Sequence, residues 1–242
     1  DINTAITAAQ HAFPTWSLNT TPAQRLTLLH RLIQIYTERT EEMAVAISRE
    51  MGAPIDFARE EQTAAGSVPM EVVVDILEKG YFEFEGLVPG AGGDAGGGGD
   101  NDEYDDDEYE EEEDAAKTTI WKEPIGVVAM ITPWNWPIYQ ITLKVIPALA
   151  VGCTIILKPS EQSPLSADLF AQMVHDAGFP PGVFNMIHGD GLTTGAYLAG
   201  HAGVDMISFT GSTTVGVEVT KGAADSLKRV RLELGGKGTF GV

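Results

Sequence analysis

Five short segments of the 242-residue chain carry residue types that bind or react. Thr132-Pro133-Trp134-Asn135-Trp136-Pro137 sets two prolines and two indoles around one amide, which fixes the backbone and leaves Asn135 with a directed donor. Such a donor, preorganised in a dry cleft, stabilises a developing oxyanion by about 3 kcal/mol; a structural turn whose asparagine satisfies backbone groups is the plainer reading. Leu157-Lys158-Pro159-Ser160-Glu161 places a cation and a carboxylate three residues apart. A carboxylate accepts from both hydroxyls of a nucleotide ribose and a lysine donates to the same sugar, whereas a surface ion pair does neither.

Gly189, Gly191 and Gly195 follow a β-rich run and open a helical one, a spacing one residue longer than the dinucleotide fingerprint. Close approach to a phosphate and a tight turn explain these glycines equally well. In Phe209-Thr210-Gly211-Ser212-Thr213-Thr214-Val215-Gly216 a strand pattern runs straight into a helical one. Backbone N–H groups and the Ser212 hydroxyl can there meet a pyrophosphate at a positive helix end, and a plain N-cap accounts for Ser212 as well. Glu233 closes an apolar strand before Gly235 and Gly236. In a cleft, desolvation raises such a carboxyl toward general-base duty; at the surface it is an ordinary strand-end glutamate.

These segments need a scaffold, and the periodicity supplies one. Runs at 125–131, 153–157, 183–187, 204–209 and 230–234 read as strands, and 139–150, 164–177, 193–201 and 213–224 as helices between them. Apolar strands alternating with helices predict an α/β fold: a Rossmann-like open parallel sheet covered on both faces, with ligands beyond the carboxyl ends of the strands. An N-terminal helical segment precedes it. Ile2, Ala5, Ile6 and Ala9 share one face, as do Leu26, Leu29, Leu32, Ile33 and Tyr36. Thr21-Pro22-Ala23-Gln24 is a capping box with proline in the first turn. Thr40 is expected to cap a third helix with Met43, Ala44, Ile47 and Met51 inward, ended by Gly52 and Pro54. A fourth is expected over 57–79, bent or interrupted at Gly66 and Pro69.

The net charge of −20 is concentrated: twelve acidic residues lie between Asp100 and Asp114, which leaves −8 for the rest. That run follows a glycine tract at 90–99, and the pair predicts a disordered insert over about 87–116. Clustered carboxylates can also bind Ca²⁺ or a basic partner, although EF-hand spacing is absent. The chain thus divides into 1–86, helical; 87–116, the insert; and 117–242, the sheet core. The acidic balance argues against nucleic acid, and no apolar run reaches the roughly 18 residues of a membrane span. The first residues have neither the basic region nor the apolar stretch of a signal peptide. One cysteine, Cys153, excludes an intramolecular disulfide, reads as an inert core thiol and suits a reducing compartment such as the cytoplasm. No metal site is expected.

Together the Pro-Trp-Asn-aromatic-Pro, Lys-Pro-Ser-Glu, Phe-Thr-Gly-Ser and Glu-Leu-Gly-Gly segments resemble the cofactor-binding half of the aldehyde dehydrogenase superfamily. The resemblance implies NAD, with NADP disfavoured because Glu161 repels a 2′-phosphate. It implies Asn135 as the donor to the substrate oxygen, Glu233 as the base that activates water, and Trp136 as a wall of the aldehyde tunnel. Cofactor contacts are implied for Ile131, Thr132, Pro133, Trp134, Lys158, Ser160, Glu161, Gly191, Phe209, Thr210, Gly211, Ser212, Val215, Leu234 and Gly235. In this family a cysteine beyond Glu-Leu-Gly-Gly attacks the aldehyde, giving a thiohemiacetal on the way to the acid. Since the segment ends at Val242 without that cysteine, the expectation is a truncated chain that binds NAD without turnover, its complete form a homo-oligomer. An NADP-dependent semialdehyde dehydrogenase fragment and a non-catalytic nucleotide-binding or assembly module are the alternatives.

Overall fold

The computed structural model describes residues 2–80 and 122–236. The insert expected over 87–116 lies outside the described residues, as does Lys237 after the glycine pair. The described parts on either side of residues 82–122 pack as one compact unit.

Its centre is a five-stranded sheet in the order β3-β2-β1-β4-β5, every neighbouring pair parallel. The strands are β1 (Val127–Ile131), β2 (Thr154–Lys158), β3 (Phe184–Met186), β4 (Met206–Gly211) and β5 (Arg229–Leu234). Helices α6 (Pro137–Val151), α7 (Pro164–Ala177), α8 (Ala196–Gly200) and α9 (Thr213–Ala224) make the crossovers, α8 being preceded by a π-helical turn at Gly191–Gly195. The chain winds outward from β1 to β3, returns to the other side of β1 as β4, and continues to β5. The carboxyl ends of β1 and β4 therefore flank the switch of winding direction, where adjoining crossovers diverge and leave a crevice. All residues of β1 and β2 are buried, as strands covered on both faces must be.

One face carries Val127, Ala129, Ile131, Ile156, Ile207 and Phe209 against Ile6 and Ala9, Leu198 and Ala199, and Val219. Those partners lie on α1 (Ile2–Leu18), α8 and α9. The opposite face is covered by α6 and α7, and beyond these pack α2 (Pro22–Glu38), α3 (Thr40–Met51) and α5 (Thr63–Glu78). The short α4 (Ile55–Phe57) and a π-helical turn, Ala58–Gln62, lead into α5.

The Thr21 capping box forms as expected: Gln24 N donates to Thr21 Oγ1 at 3.2 Å and Thr21 N to Gln24 Oε1 at 2.8 Å. Gly52 ends α3 in the left-handed conformation, also as expected. Thr40 does not cap. The N-cap position belongs to Arg39, and the Thr40 hydroxyl donates backwards to the carbonyls of Tyr36 and Thr37, closing the end of α2. A single residue between two helices leaves the hydroxyl nearer those orphan carbonyls than the amides ahead.

The fourth helix also differs from expectation. It runs unbroken through Gly66 and Pro69, and its irregularity lies upstream in the π-helical turn. Gly66 is a contact point: a Cβ there would sit 2.9 Å from Ile138 and 2.5 Å from the Tyr36 hydroxyl. That hydroxyl donates to Thr63 O at 2.8 Å and so ties α2 to α5, while Gly66 against Ile138 brings α5 close to the start of α6. Gly66→Ala is expected to destabilise the protein by about 1–3 kcal/mol through overpacking, read as a lower urea midpoint with an unchanged slope.

Candidate active site at the switch of the sheet

Five chain segments emerge at the carboxyl edge of the sheet. From β1, Thr132 stays buried and its N–H donates to Lys158 O at 3.2 Å, extending the β1–β2 ladder by one residue. The chain then turns outward. Trp134 is half exposed and Asn135 exposed, its side-chain amide without a partner among the described residues. Trp136 takes a left-handed conformation (φ 51°, ψ 51°), a rare state for a bulky side chain and one that clusters at functional sites. Pro137 follows as the first residue of α6, with Gln140 N bonded to Trp136 O. The Trp136 ring meets Phe57 edge-on, centroids 5.7 Å apart, and with Ala65, Tyr139 and Gln140 it lines an open recess.

At the end of β2 the Lys158 side chain is buried and its ammonium donates to Glu161 Oε2 at 3.1 Å and to Pro159 O at 3.2 Å. Glu161 itself is exposed. Its carboxyl is held below the usual range by its own backbone amide and by Lys158. Ser160 Oγ accepts from Gln162 N, closing the turn. The glycines beyond β3 build a local turn. Asp190 caps the π-helical turn, accepting from Thr193 N at 2.6 Å and Thr193 Oγ1 at 2.8 Å. Gly191 is exposed and open, with nothing within 4 Å of a Cβ placed on it. Asp190, which precedes Gly191, lies in electrostatic reach of Lys158 and Glu161.

From β4, Phe209 and Thr210 lead to Gly211, where a Cβ would lie 2.4 Å from the Phe209 ring. Ser212 caps α9, its hydroxyl accepting from Val215 N at 3.3 Å, and Ser212 to Val215 are all exposed. The other amides of that first turn have no intrahelical acceptor. Glu233 and Leu234 pair in register with Thr210 and Gly211. Of the two settings the sequence leaves open for Glu233, a desolvating cleft and the surface, the structure shows the more open one: its side chain is 49% exposed and bonded to Arg231, whose terminal nitrogen stands 3.0 Å from Oε1. β5 is an outer strand of the sheet, hydrogen-bonded only to β4 among the described strands.

Sequence reasoning overlooked Lys144. Buried on α6, it donates to Ser208 Oγ of β4 at 3.1 Å. Burial pushes its ammonium below the ordinary lysine range, the Glu233 carboxylate pulls it back up, and Arg231 pushes it further down. The signal was present: Ile141, Lys144 and Val145 share one helical face that is otherwise apolar, and a cation there must find a partner beneath the helix.

Two buried hydroxyls at this edge, Thr132 Oγ1 and Thr210 Oγ1, have no hydrogen-bond partner among the described residues. They follow Ile131 and Phe209, which face each other in the β1–β4 register, so both stand at the switch point. Unsatisfied buried hydroxyls are uncommon in native proteins. Next to an open helix end and an exposed carboxylate beside a lysine, they fit a polar, phosphate-bearing ligand.

The aldehyde dehydrogenase family model matches residues 1–242. The chain belongs to the aldehyde dehydrogenase family. A 3-succinoylsemialdehyde-pyridine dehydrogenase from a Pseudomonas species is 42% identical over 98% of this chain and 43% of its own. A 2-aminomuconic semialdehyde dehydrogenase from Danio rerio is 36% identical over 98% of this chain and 44% of its own. A mutant aldehyde dehydrogenase C from Pseudomonas syringae, solved with NAD+ and octanal, superimposes with a TM-score of 0.82 at 46% identity, covering 98% of this chain and 43% of that one. The chain therefore spans a little under half the length of these family members. Among the described residues no helix is long and apolar enough to cross a membrane, and no group of three His, Cys, Asp or Glu is placed to hold a metal ion.

Cys153, the sole thiol of this aldehyde dehydrogenase segment, is buried, and burial pushes its pKa up. A thiol attacks as its thiolate, so both effects suppress reactivity. Labelling with an aromatic disulfide at pH 8 is expected to run at least about a hundredfold slower in the native chain than in denaturant.

Proposed function

We propose that this chain is the NAD-binding part of an aldehyde dehydrogenase that oxidises an aldehyde to a carboxylic acid. The carrying observation is the convergence at the switch point of the unpartnered Thr132 and Thr210 hydroxyls, the open first turn of α9 and the Lys158–Glu161 pair. In this reading Lys158 and Glu161 hold the adenosine ribose, with Ser160 and Gly191 beside them. The α9 amides and Ser212 take the pyrophosphate, with Gly211 and Val215 against it. Ile131, Thr132, Pro133, Trp134, Phe209, Thr210, Leu234 and Gly235 line the path toward the nicotinamide. When bound, NAD supplies the acceptor for the hydride leaving the aldehyde carbon.

The other residues act on substrate and water. Asn135, exposed at its turn, donates its amide N–H to the substrate oxygen. Trp136 and the recess beside it contact the substrate's apolar part. Glu233 accepts a proton from the water that releases the acid. Lys144, within electrostatic reach, balances the negative charge of that carboxylate. The family reaction uses a cysteine nucleophile and the only thiol here is buried at the amino end of β2, so these 242 residues bind NAD without aldehyde turnover. A homo-oligomeric whole enzyme and a cytoplasmic setting complete the proposal; the latter is supported by the lone reduced thiol.

Calorimetric titration of the purified chain is expected to show one NAD site, and aldehyde with NAD is expected to yield no NADH. Absence of NAD binding would leave an assembly module as the better reading, and aldehyde-dependent NADH production refutes the inactive assignment. The exposed Glu161 carboxylate disfavours a 2′-phosphate by like-charge repulsion. Glu161→Gln is therefore expected to narrow the NAD over NADP preference by about tenfold, measured from paired titrations.

A further inference from the structure

The amide end of α7 is held by a carboxylate from a distant part of the chain. The helix's own N-cap residue, Ser163, makes no side-chain cap bond. Glu50, in the last turn of α3, fills that role: its Oε2 accepts from Leu165 N at 2.6 Å and from Ser166 N at 3.1 Å. Its other oxygen, Oε1, is buried, and among the described residues the polar group nearest to pairing with the carboxylate beyond those amides is the Ser166 hydroxyl. Burial pushes this carboxyl above the ordinary glutamate range, while bonds from Ser166 and Leu165 oppose that shift. A local Ser, Asp or Asn cap satisfies a helix end without such desolvation, so the long-range carboxylate serves more than capping.

The turn that α7 anchors is the one that carries Ser160 and Glu161. It is closed within itself by Ser163 N to Ser160 O at 3.1 Å and Gln162 N to Ser160 Oγ at 3.2 Å. One end is fixed by Lys158 in the ladder of β2, and the other by the first turn of α7, on which Glu50 pulls. Gly52 closes α3 two residues after Glu50 and so fixes where the carboxylate starts.

We propose that Glu50 is a positioning residue for the adenosine-ribose end of the nucleotide site, holding the 159–163 turn at the height at which Glu161 meets Lys158. This rests on the nucleotide reading above and adds to it a residue outside the site, on the helical layer.

The test is calorimetric titration of the full chain with NAD, AMP and nicotinamide mononucleotide, for the parent, Glu50→Ala, Glu50→Gln and the surface control Glu42→Ala. Glu50→Ala is expected to weaken AMP and NAD about tenfold, equivalent to about 1.4 kcal/mol, and to leave nicotinamide mononucleotide unchanged. Hydrogen exchange over 159–166 accelerates in the same variant. Glu50→Gln, whose amide oxygen still accepts an N–H, recovers about half of the loss, and Glu42→Ala behaves as the parent. Equal weakening of both half-ligands, or a lower unfolding midpoint with AMP affinity intact, overturns the proposal. Should the alanine variant not fold, the glutamine variant decides: a loss of about threefold confined to AMP and NAD supports it, and no loss or an equal loss in both halves overturns it. A parent chain that binds neither NAD nor AMP overturns the nucleotide reading and this inference with it.

Discussion

The reversal of winding between β1 and β4 is the constraint on which the rest of this structure depends. Two adjacent parallel strands whose crossovers leave in opposite directions cannot have their carboxyl ends covered by the same helix. Thr132 and Thr210 end up there as buried hydroxyls without partners among the described residues, and the chain leaves each strand through a confined turn: Trp136 at positive φ before Pro137, and Gly211 beneath the Phe209 ring. Polar groups left unsatisfied by the fold are available to a ligand, so topology generates the crevice before any side chain is chosen for its chemistry.

Charge placement at this edge follows from burial. Lys144 and Lys158 are both buried, and a buried ammonium must have an acceptor close by. Lys158 has Glu161 and the Pro159 carbonyl; Lys144 has the Ser208 hydroxyl and, further off, the Glu233 carboxylate. One pair lies on the β2–β3 side of the sheet, the other on the β4–β5 side, so opposite sides of the crevice carry separate charge systems. Glu50 adds a half-buried carboxylate, compensated by backbone amides instead of a cation. The helical layer of the first eighty residues thereby takes part in shaping the site that the sheet creates.

Much of this was legible in the sequence because local patterns report local physics. The alternation of apolar strands with amphipathic helices predicted the parallel sheet, with helix limits at 164–177 and 213–224 identical to those observed. The capping box at Thr21 and the glycine stop at Gly52 need only neighbouring residues, and both formed. Thr40 was misread because one hydroxyl can serve the helix behind it or the one ahead, and the one-residue joint at Arg39 decides which. Gly66 and Pro69 were read as breakers, yet packing against Ile138 gives that glycine a use inside a continuous helix.

The sequence by itself determined which residue types stand at the strand ends, because each motif is contiguous and follows a recognisable apolar run. It also determined the family, through motifs whose combination is specific although each alone is weak. Only the tertiary structure decided that Lys144 lies under β4, that Glu50 caps a helix more than a hundred residues away, and that Glu233 sits on an outer strand paired with Arg231. Each of these depends on elements distant in the chain meeting side by side, and no local period records which strand or helix a buried charge will face.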